Sequence, residues 1–220
     1  MPTRQPERTA AEFVPHGVDL PGLAEAARGC RGCGLAELEN TGVVFGEGQP
    51  SARLVLVGEQ PGDVEDRRGR PFVGPAGKLL DRALQDAGID REQAYVTNAV
   101  KHFKFTMAST GKRRIHAKPD ALEVASCKPW LVAELNRVRP ELVVLLGATA
   151  AGALLGQSFR VTKSRGQLLE GPPGSSARVM ATLHPSAVLR GGDQQEEMYD
   201  GFVRDLRVAA KALNSRPADV

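Results

Sequence analysis

The chain has 220 residues, a formal net charge of +3 and a sequence pI near 8.9, with hydrophobic residues at 41% and charged residues at 25%. These values bound it to one sizeable globular core, too small for two. They exclude a disordered polyelectrolyte, and no apolar run approaches the ~18 residues of a membrane span. A mild positive charge does not by itself imply nucleic acid, so the placement of the basic residues carries more information than their sum.

Residues 1–15 (MPTRQPERTAAEFVP) carry no apolar signal core and are expected to form a loose tail. A cytoplasmic, reducing setting follows, in which three cysteines argue for a metal or a catalytic thiol rather than disulfides. Cys30-x-x-Cys33 has the spacing of half a metal site. Cys127 supplies a third ligand, and His102, next to Cys127's helix, is the candidate fourth. Spacing alone leaves zinc, iron–sulfur and a plain buried thiol open.

Apolar runs predict four buried strands at Arg53–Val57, Ala94–Asn98, Glu141–Leu146 and Arg178–Leu183. Helical patterns fall between and after them, at Pro75–Ala87, Asp120–Arg137, Ala148–Leu155 and Gln194–Leu213. Pro75 suits a first helical turn, and Leu131, Leu135 and Val138 mark a buried stripe. Strands alternating with helices predict a mainly parallel, four-stranded sheet covered on both faces, a three-layer α/β/α sandwich. One domain is expected over residues 16–213, with 214–220 a second loose tail. Gly171–Ser176 reads as a surface turn and His16 as a surface residue.

In open parallel sheets, ligands bind beyond the carboxyl ends of the strands. The residues there are Gly58-Glu59-Gln60-Pro61-Gly62-Asp63, then Asn98 with Lys101 and His102, then Gly147-Ala148-Thr149, then His184-Pro185-Ser186. Glu59, Gln60, Asn98 and His184 should therefore share one rim. The first stretch lacks the Gly-Lys-Ser/Thr of a phosphate loop and reads as a tight turn offering backbone N–H groups to a flat ligand. Phe72, between Pro71 and Pro75, is either core or an aromatic face held for base stacking.

The segment Phe103–Lys118 shows little periodicity, and loops of that length in compact domains are usually functional or disordered. It contains Gly111-Lys112-Arg113-Arg114-Ile115-His116. Either this is a basic loop contacting phosphates, or it presents His116 to a polyanion, with Arg113 and Arg114 favouring the neutral, nucleophilic imidazole.

Taken together, GEQPG, PFVGPAG, VTNAVKH, the spaced cysteines and HPS resemble the uracil-DNA glycosylase superfamily over about Cys30 to Leu206. The closest likeness is to the iron–sulfur-containing, family-four branch, and the KRRIH loop resembles the UdgX subgroup, whose members bind uracil-DNA irreversibly. The resemblance implies a structural four-iron, four-sulfur cluster. Where the family-four enzymes carry a fourth cysteine this chain has His102, so the implied ligands are Cys30, Cys33, His102 and Cys127, with a labile or substituted cluster the alternative. Gln60 stands where those enzymes usually have alanine.

For the site, the resemblance implies Phe72 against the face of uracil, Asn98 on its polar edge, and backbone groups around Gly58 and Gln60, with Asp63, completing the pocket. His184 would donate to uracil O2, and His116 would attack C1′ to leave a covalent adduct. Glu59 would serve either loop geometry or the oxocarbenium charge, and one arginine of the loop would pair with it. Lys112, Arg113 and Arg114 would hold the loop over DNA, with Ser186, Leu189 and Arg190 at the lesion and Leu189 as a wedge. The implied partners are uracil-containing DNA, single- or double-stranded, and free uracil as product; a monomer is expected. A multiple-turnover glycosylase and a non-catalytic DNA-binding module are the competing readings.

Overall fold

The structure is a computed structural model, and it describes residues 8–38, 42–109, 111 and 113–215. Within the segment expected to be a tail, Thr9 caps a 3-10 turn at Ala10–Phe13, and Ala10 is buried. Helix α1 (Leu20–Ala27) follows, started by the Asp19 side chain on the Gly22 N–H. Next come strand β1 (Glu47–Gly48), strand β2 (Leu54–Gly58), helix α2 (Asp63–Arg68) and helix α3 (Pro75–Asp86). Strand β3 (Ala94–Asn98) leads into a short hairpin, β4 (Phe105–Met107) and β5 (Arg114–His116). Helix α4 (Ala121–Val138), strand β6 (Leu142–Leu146), helix α5 (Gly147–Leu155) and the single turn α6 (Val161–Ser164) follow. The chain closes with β7 (Leu168–Leu169), β8 (Arg178–Thr182), α7 (Pro185–Leu189) and α8 (Gln195–Asn214).

The main sheet runs β1-β3-β2-β6-β8-β7. Its four central strands are parallel, as the apolar runs predict, and an antiparallel two-residue strand closes each edge. The sheet is therefore six-stranded rather than four-stranded. Strands of two residues have no periodicity to read.

Alternation along the strands divides the core between the two faces. Val55, Val57, Val143, Leu145, Val179 and Ala181 face one side, with α1, α4 and α5. Leu54, Leu56, Leu142, Val144, Leu146 and Met180 face the other, with α3 and α8. All five residues of β2, β3 and β6 are buried, which is why β2 and β6 read as unbroken apolar runs, while β3 ends in the buried polar pair Thr97 and Asn98. Helix α4 begins with an Asp120/Glu123 capping box and continues through Pro129. An interior proline costs roughly 3 kcal/mol; burial of Cys127, Trp130, Leu131 and Val138 along the same helix offsets it.

The segment 103–118 is not an unstructured loop. Phe105 pairs with His116, Thr106 with Ile115 and Met107 with Arg114. Three-residue strands are too short to be stable alone, so tertiary contacts hold this hairpin. Among the described residues, no helix is long and apolar enough to cross a membrane.

Candidate active site

The carboxyl ends of the parallel strands open into a cleft of about 530 Å³. Glu59, Gln60, Phe72, Asn98, His116 and His184 all line it, so the residues expected at one rim are gathered there.

The floor is built by close approach. A Cβ on Gly58 would stand 2.3 Å from Asn98 Oδ1 and 2.6 Å from Phe72 Cζ, so only glycine leaves that space open. Asn98 is 2% exposed, at the end of β3. Phe72 adopts φ 55°, a left-handed conformation that costs a non-glycine residue on the order of 1 kcal/mol or more. Its turn is over-determined. Gly77 packs so tightly on it that a Cβ would meet the Phe72 carbonyl oxygen, and Glu65 Oε1 accepts from Gly74 N at 2.7 Å.

His184 caps α7. The Ser186 N–H donates to its Nδ1 at 3.1 Å, and Ser186 Oγ lies 2.7 Å from the same atom. With Nδ1 accepting, the proton of the neutral ring sits on Nε2. Burial pushes the imidazole pKa down to about 4, helped by Arg190 and His116. His184 is thus a neutral donor at neutral pH, suited to hydrogen-bond a developing anion.

The hairpin carries His116 into the same cleft. Gln60 grips it from below: its Nε2 donates to Lys104 O at 3.1 Å and Ala117 O at 3.0 Å, and its Oε1 accepts from Lys104 N at 3.1 Å. The same Nε2 lies 2.9 Å from His116 Nε2, and Glu59 Oε1 lies 3.5 Å from that ring nitrogen. Glu59 Oε2 in turn accepts from Thr149 Oγ1. The His116 side chain remains 49% exposed toward the cleft.

Several expectations need correction. Gln60 lines the cleft, with its side-chain amide committed to the hairpin. Asp63 is drawn away by Arg67 at 2.9 Å and Arg114 at 2.6 Å. The arginine that fixes the loop is Arg114, and its acids are Asp63 and Asp66 (2.7 Å), not Glu59. Its guanidinium also lies over Phe103 and Phe105, 5.3 and 5.0 Å from the ring centroids. With an 11% exposed side chain, Arg114 anchors the hairpin inward instead of meeting phosphates. Arg113 is exposed, while Lys112 lies outside the described residues. Ser186 and Arg190 line the cleft, and Leu189 is 38% exposed at the end of α7.

Cys30, Cys33, Cys127 and His102 line a second, enclosed pocket together with Trp130. As they stand, no group of three or more His, Cys, Asp or Glu among the described residues is arranged to hold a metal ion. A four-iron cluster takes one ligand per iron, so its donors stand farther apart than those of a single ion. The donor set fits such a group: three sulfurs and an imidazole in one dry pocket. The buried Trp130 Nε1 has no hydrogen-bond partner there, as expected beside an acceptor such as an inorganic sulfide. Burial pushes the Cys127 thiol up to about 12 and raises Cys33, so a cationic partner is what would make them thiolates. Burial, with Arg31, lowers His102 to about 4 and keeps it a neutral donor of electrons.

Glu65, Thr149 and Lys118 also line the cleft and were not singled out as functional from the sequence. Thr149 alone carried a signal, since it stands directly after a strand end. Glu65 acts by bracing a backbone turn, for which no motif exists.

Residues 45–207 match the model of the family described as the uracil DNA glycosylase superfamily. The chain is 38% identical over 188 residues to a type-4 uracil-DNA glycosylase of Thermotoga maritima, covering 85% of this chain and 91% of that protein. It is 34% identical to a type-4 uracil-DNA glycosylase of Archaeoglobus fulgidus, over 83% and 89% of the two chains. Against the type-4 enzyme of Sulfurisphaera tokodaii it is 31% identical, over 87% and 86%. The cleft at the strand ends, the aromatic wall and the matched span agree, and the chain belongs to the uracil DNA glycosylase superfamily.

Proposed function

We propose that the protein excises uracil from DNA and then binds the abasic sugar covalently through His116, so that each molecule acts once. The observation that carries this reading is the position of His116: an imidazole half open to the cleft, tethered through Gln60 and Glu59, lining the same cleft as His184 and Asn98.

A base stacked in a duplex must be extruded or offered on a single strand. Phe72 would lie against the flipped uracil, and the Asn98 amide supplies the donor and acceptor that O4 and N3–H require. Cytosine would leave those buried groups unpaired. As the C1′–N1 bond breaks, its electron pair passes to the uracil ring, and His184 Nε2–H stabilises the charge at O2. A lone pair of one His116 ring nitrogen forms the new bond to C1′. The proton on the other nitrogen is then lost to Glu59 or solvent, leaving an N-alkyl imidazole, and the uracil anion takes up a proton. An imidazole held at the sugar competes with water through its effective concentration. The adduct has no good leaving group, so turnover stops.

Exposed Arg113, with Lys118 and Arg190 on the cleft, would meet phosphates, and Leu189 would enter the stack beside the lesion. Cys30, Cys33, Cys127 and His102 would hold the four-iron, four-sulfur cluster, which when bound would cross-link the N-terminal segment, the turn after β3 and α4. Brown colour in the purified protein tests that assignment, and colourless protein containing zinc overturns it.

One denaturing gel tests the covalent step. A labelled uracil oligonucleotide should give a slow band that survives boiling in SDS, saturates at one DNA per protein and is absent with thymine. Free abasic DNA with no slow band would instead mean a multiple-turnover glycosylase.

A further inference from the structure

Away from the cleft, Lys101 and Glu134 form an ion pair in the interior. Lys101 Nζ stands 2.5 Å from Glu134 Oε2, with side chains 1% and 0% exposed. Desolvating two charges commonly outweighs their attraction, and an apolar pair of similar volume often serves stability as well. Such a pair therefore invites a reason other than stability.

Its hydrogen bonds supply one. Glu134 Oε1 accepts from Tyr95 OH at 2.9 Å and Gly46 N at 3.0 Å, and Thr97 Oγ1 lies 2.9 and 3.0 Å from the two carboxylate oxygens. Besides Glu134, Lys101 Nζ donates to Thr97 Oγ1 at 2.6 Å and to the carbonyl oxygen of Asn98 at 2.7 Å. All three ammonium protons are thus directed, one of them at the residue on the pocket floor.

The turn that carries Lys101 is bonded on every side. Ala99 N donates to Gly58 O and Val100 N to Glu59 O, both at 2.9 Å. Lys101 N donates to Cys127 Sγ at 3.3 Å, and Lys101 O accepts from Val44 N at 2.8 Å. A backbone fixed at its carbonyl, at the next two N–H groups and through a side chain into α4 leaves the Asn98 amide little freedom to turn.

We propose that Lys101 and Glu134 are positioning residues for base recognition, acting by clamping the backbone of Asn98. The inference rests on Asn98 reading the uracil edge. A side-chain amide that swings even slightly presents its donor and acceptor to the wrong atoms, so discrimination between uracil and cytosine depends on this clamp.

The test is the double substitution K101M/E134L, which removes both charges together and keeps the volume filled. Its thermal midpoint should lie within a few degrees of the parent and its brown colour should persist. The single-turnover rate of uracil excision should fall ~30- to 100-fold, in its limiting value more than in the DNA concentration that half-saturates it, with a narrowed preference for uracil over cytosine. Parental excision with parental discrimination would make the pair purely structural and overturn the proposal. Should the double variant not fold, E134Q keeps the shape and one acceptor and should show the same narrowed preference; an unchanged preference there overturns the proposal equally. N98A separates the two layers. If N98A excises uracil normally, the reading of Asn98 fails and the clamp with it. If N98A is inactive while K101M/E134L is fully active, the clamp alone fails.

Discussion

The floor of the cleft and its hairpin wall are held by different means. Gly58, Asn98 and His184 stand at the ends of buried parallel strands, with Phe72 locked in a strained turn against them. His116 stands on two three-residue strands, tied down by one glutamine and one arginine. The floor cannot move without disturbing the core, whereas the hairpin could be lost or altered without touching it. In the proposed reading, base recognition is built into the scaffold and the nucleophile is mounted on it, so the two functions should separate under mutation.

The largest expected effect breaks the hairpin side alone. H116S should abolish the SDS-resistant adduct completely while uracil release persists, now followed by water attack and turnover. Band formation and free uracil measured on the same samples decide it. An adduct that survives in H116S would move the nucleophile elsewhere and end the separation proposed here.

The converse break is G58A. The added methyl would contact Asn98 Oδ1 and Phe72 Cζ, in the space left for the base. Uracil release should fall by at least ~10²-fold, and adduct formation with it, because no abasic sugar is generated. Excision at near-parental rate would show that the base does not occupy this floor.

A finer cut is Q60A. It deletes the bonds to Lys104 and Ala117 that fix the hairpin, without touching the floor. Adduct formation should slow ~10- to 100-fold, while single-turnover uracil release changes only ~2-fold, the pattern of a displaced nucleophile. Equal losses in both rates would instead assign Gln60 to the base pocket.

The same contrast explains what could be read from the sequence. The four parallel strands were legible to within a residue or so because burial on both faces leaves short, mostly apolar runs, and the rim followed from their ends. Edge strands of two residues were not legible. The hairpin looked featureless because its stability lies in contacts made 44 to 57 residues away in sequence, by Gln60 to backbone atoms and by Arg114 to Asp63 and Asp66. Charge and resemblance alike marked Arg114 as a DNA contact; neither could show that its side chain is 11% exposed and paired with Asp63 and Asp66. The place of His116 came from resemblance; nothing in periodicity or spacing would have put it in one cleft with His184.

The smallest expected effect sharpens the scaffold side. His184 has a pKa near 4 in the folded protein, chiefly through burial, against about 6.5 when unfolded. Above pH 6.5 both states are neutral and the residue contributes no pH dependence. Between about 6.5 and 4 the unfolded chain takes up a proton that the folded one refuses, so stability falls as pH falls, by ~1.4 kcal/mol per unit and on the order of 2 kcal/mol by pH 5. Denaturant midpoints at pH 7.5 and 5.0 measure the drop, and H184N should remove its share. Because the folded ring stays neutral at pH 5, the uracil O2 donor is retained there even as the fold weakens. A pH slope unaltered by H184N would place the burial penalty on other groups and leave His184 outside the rigid floor.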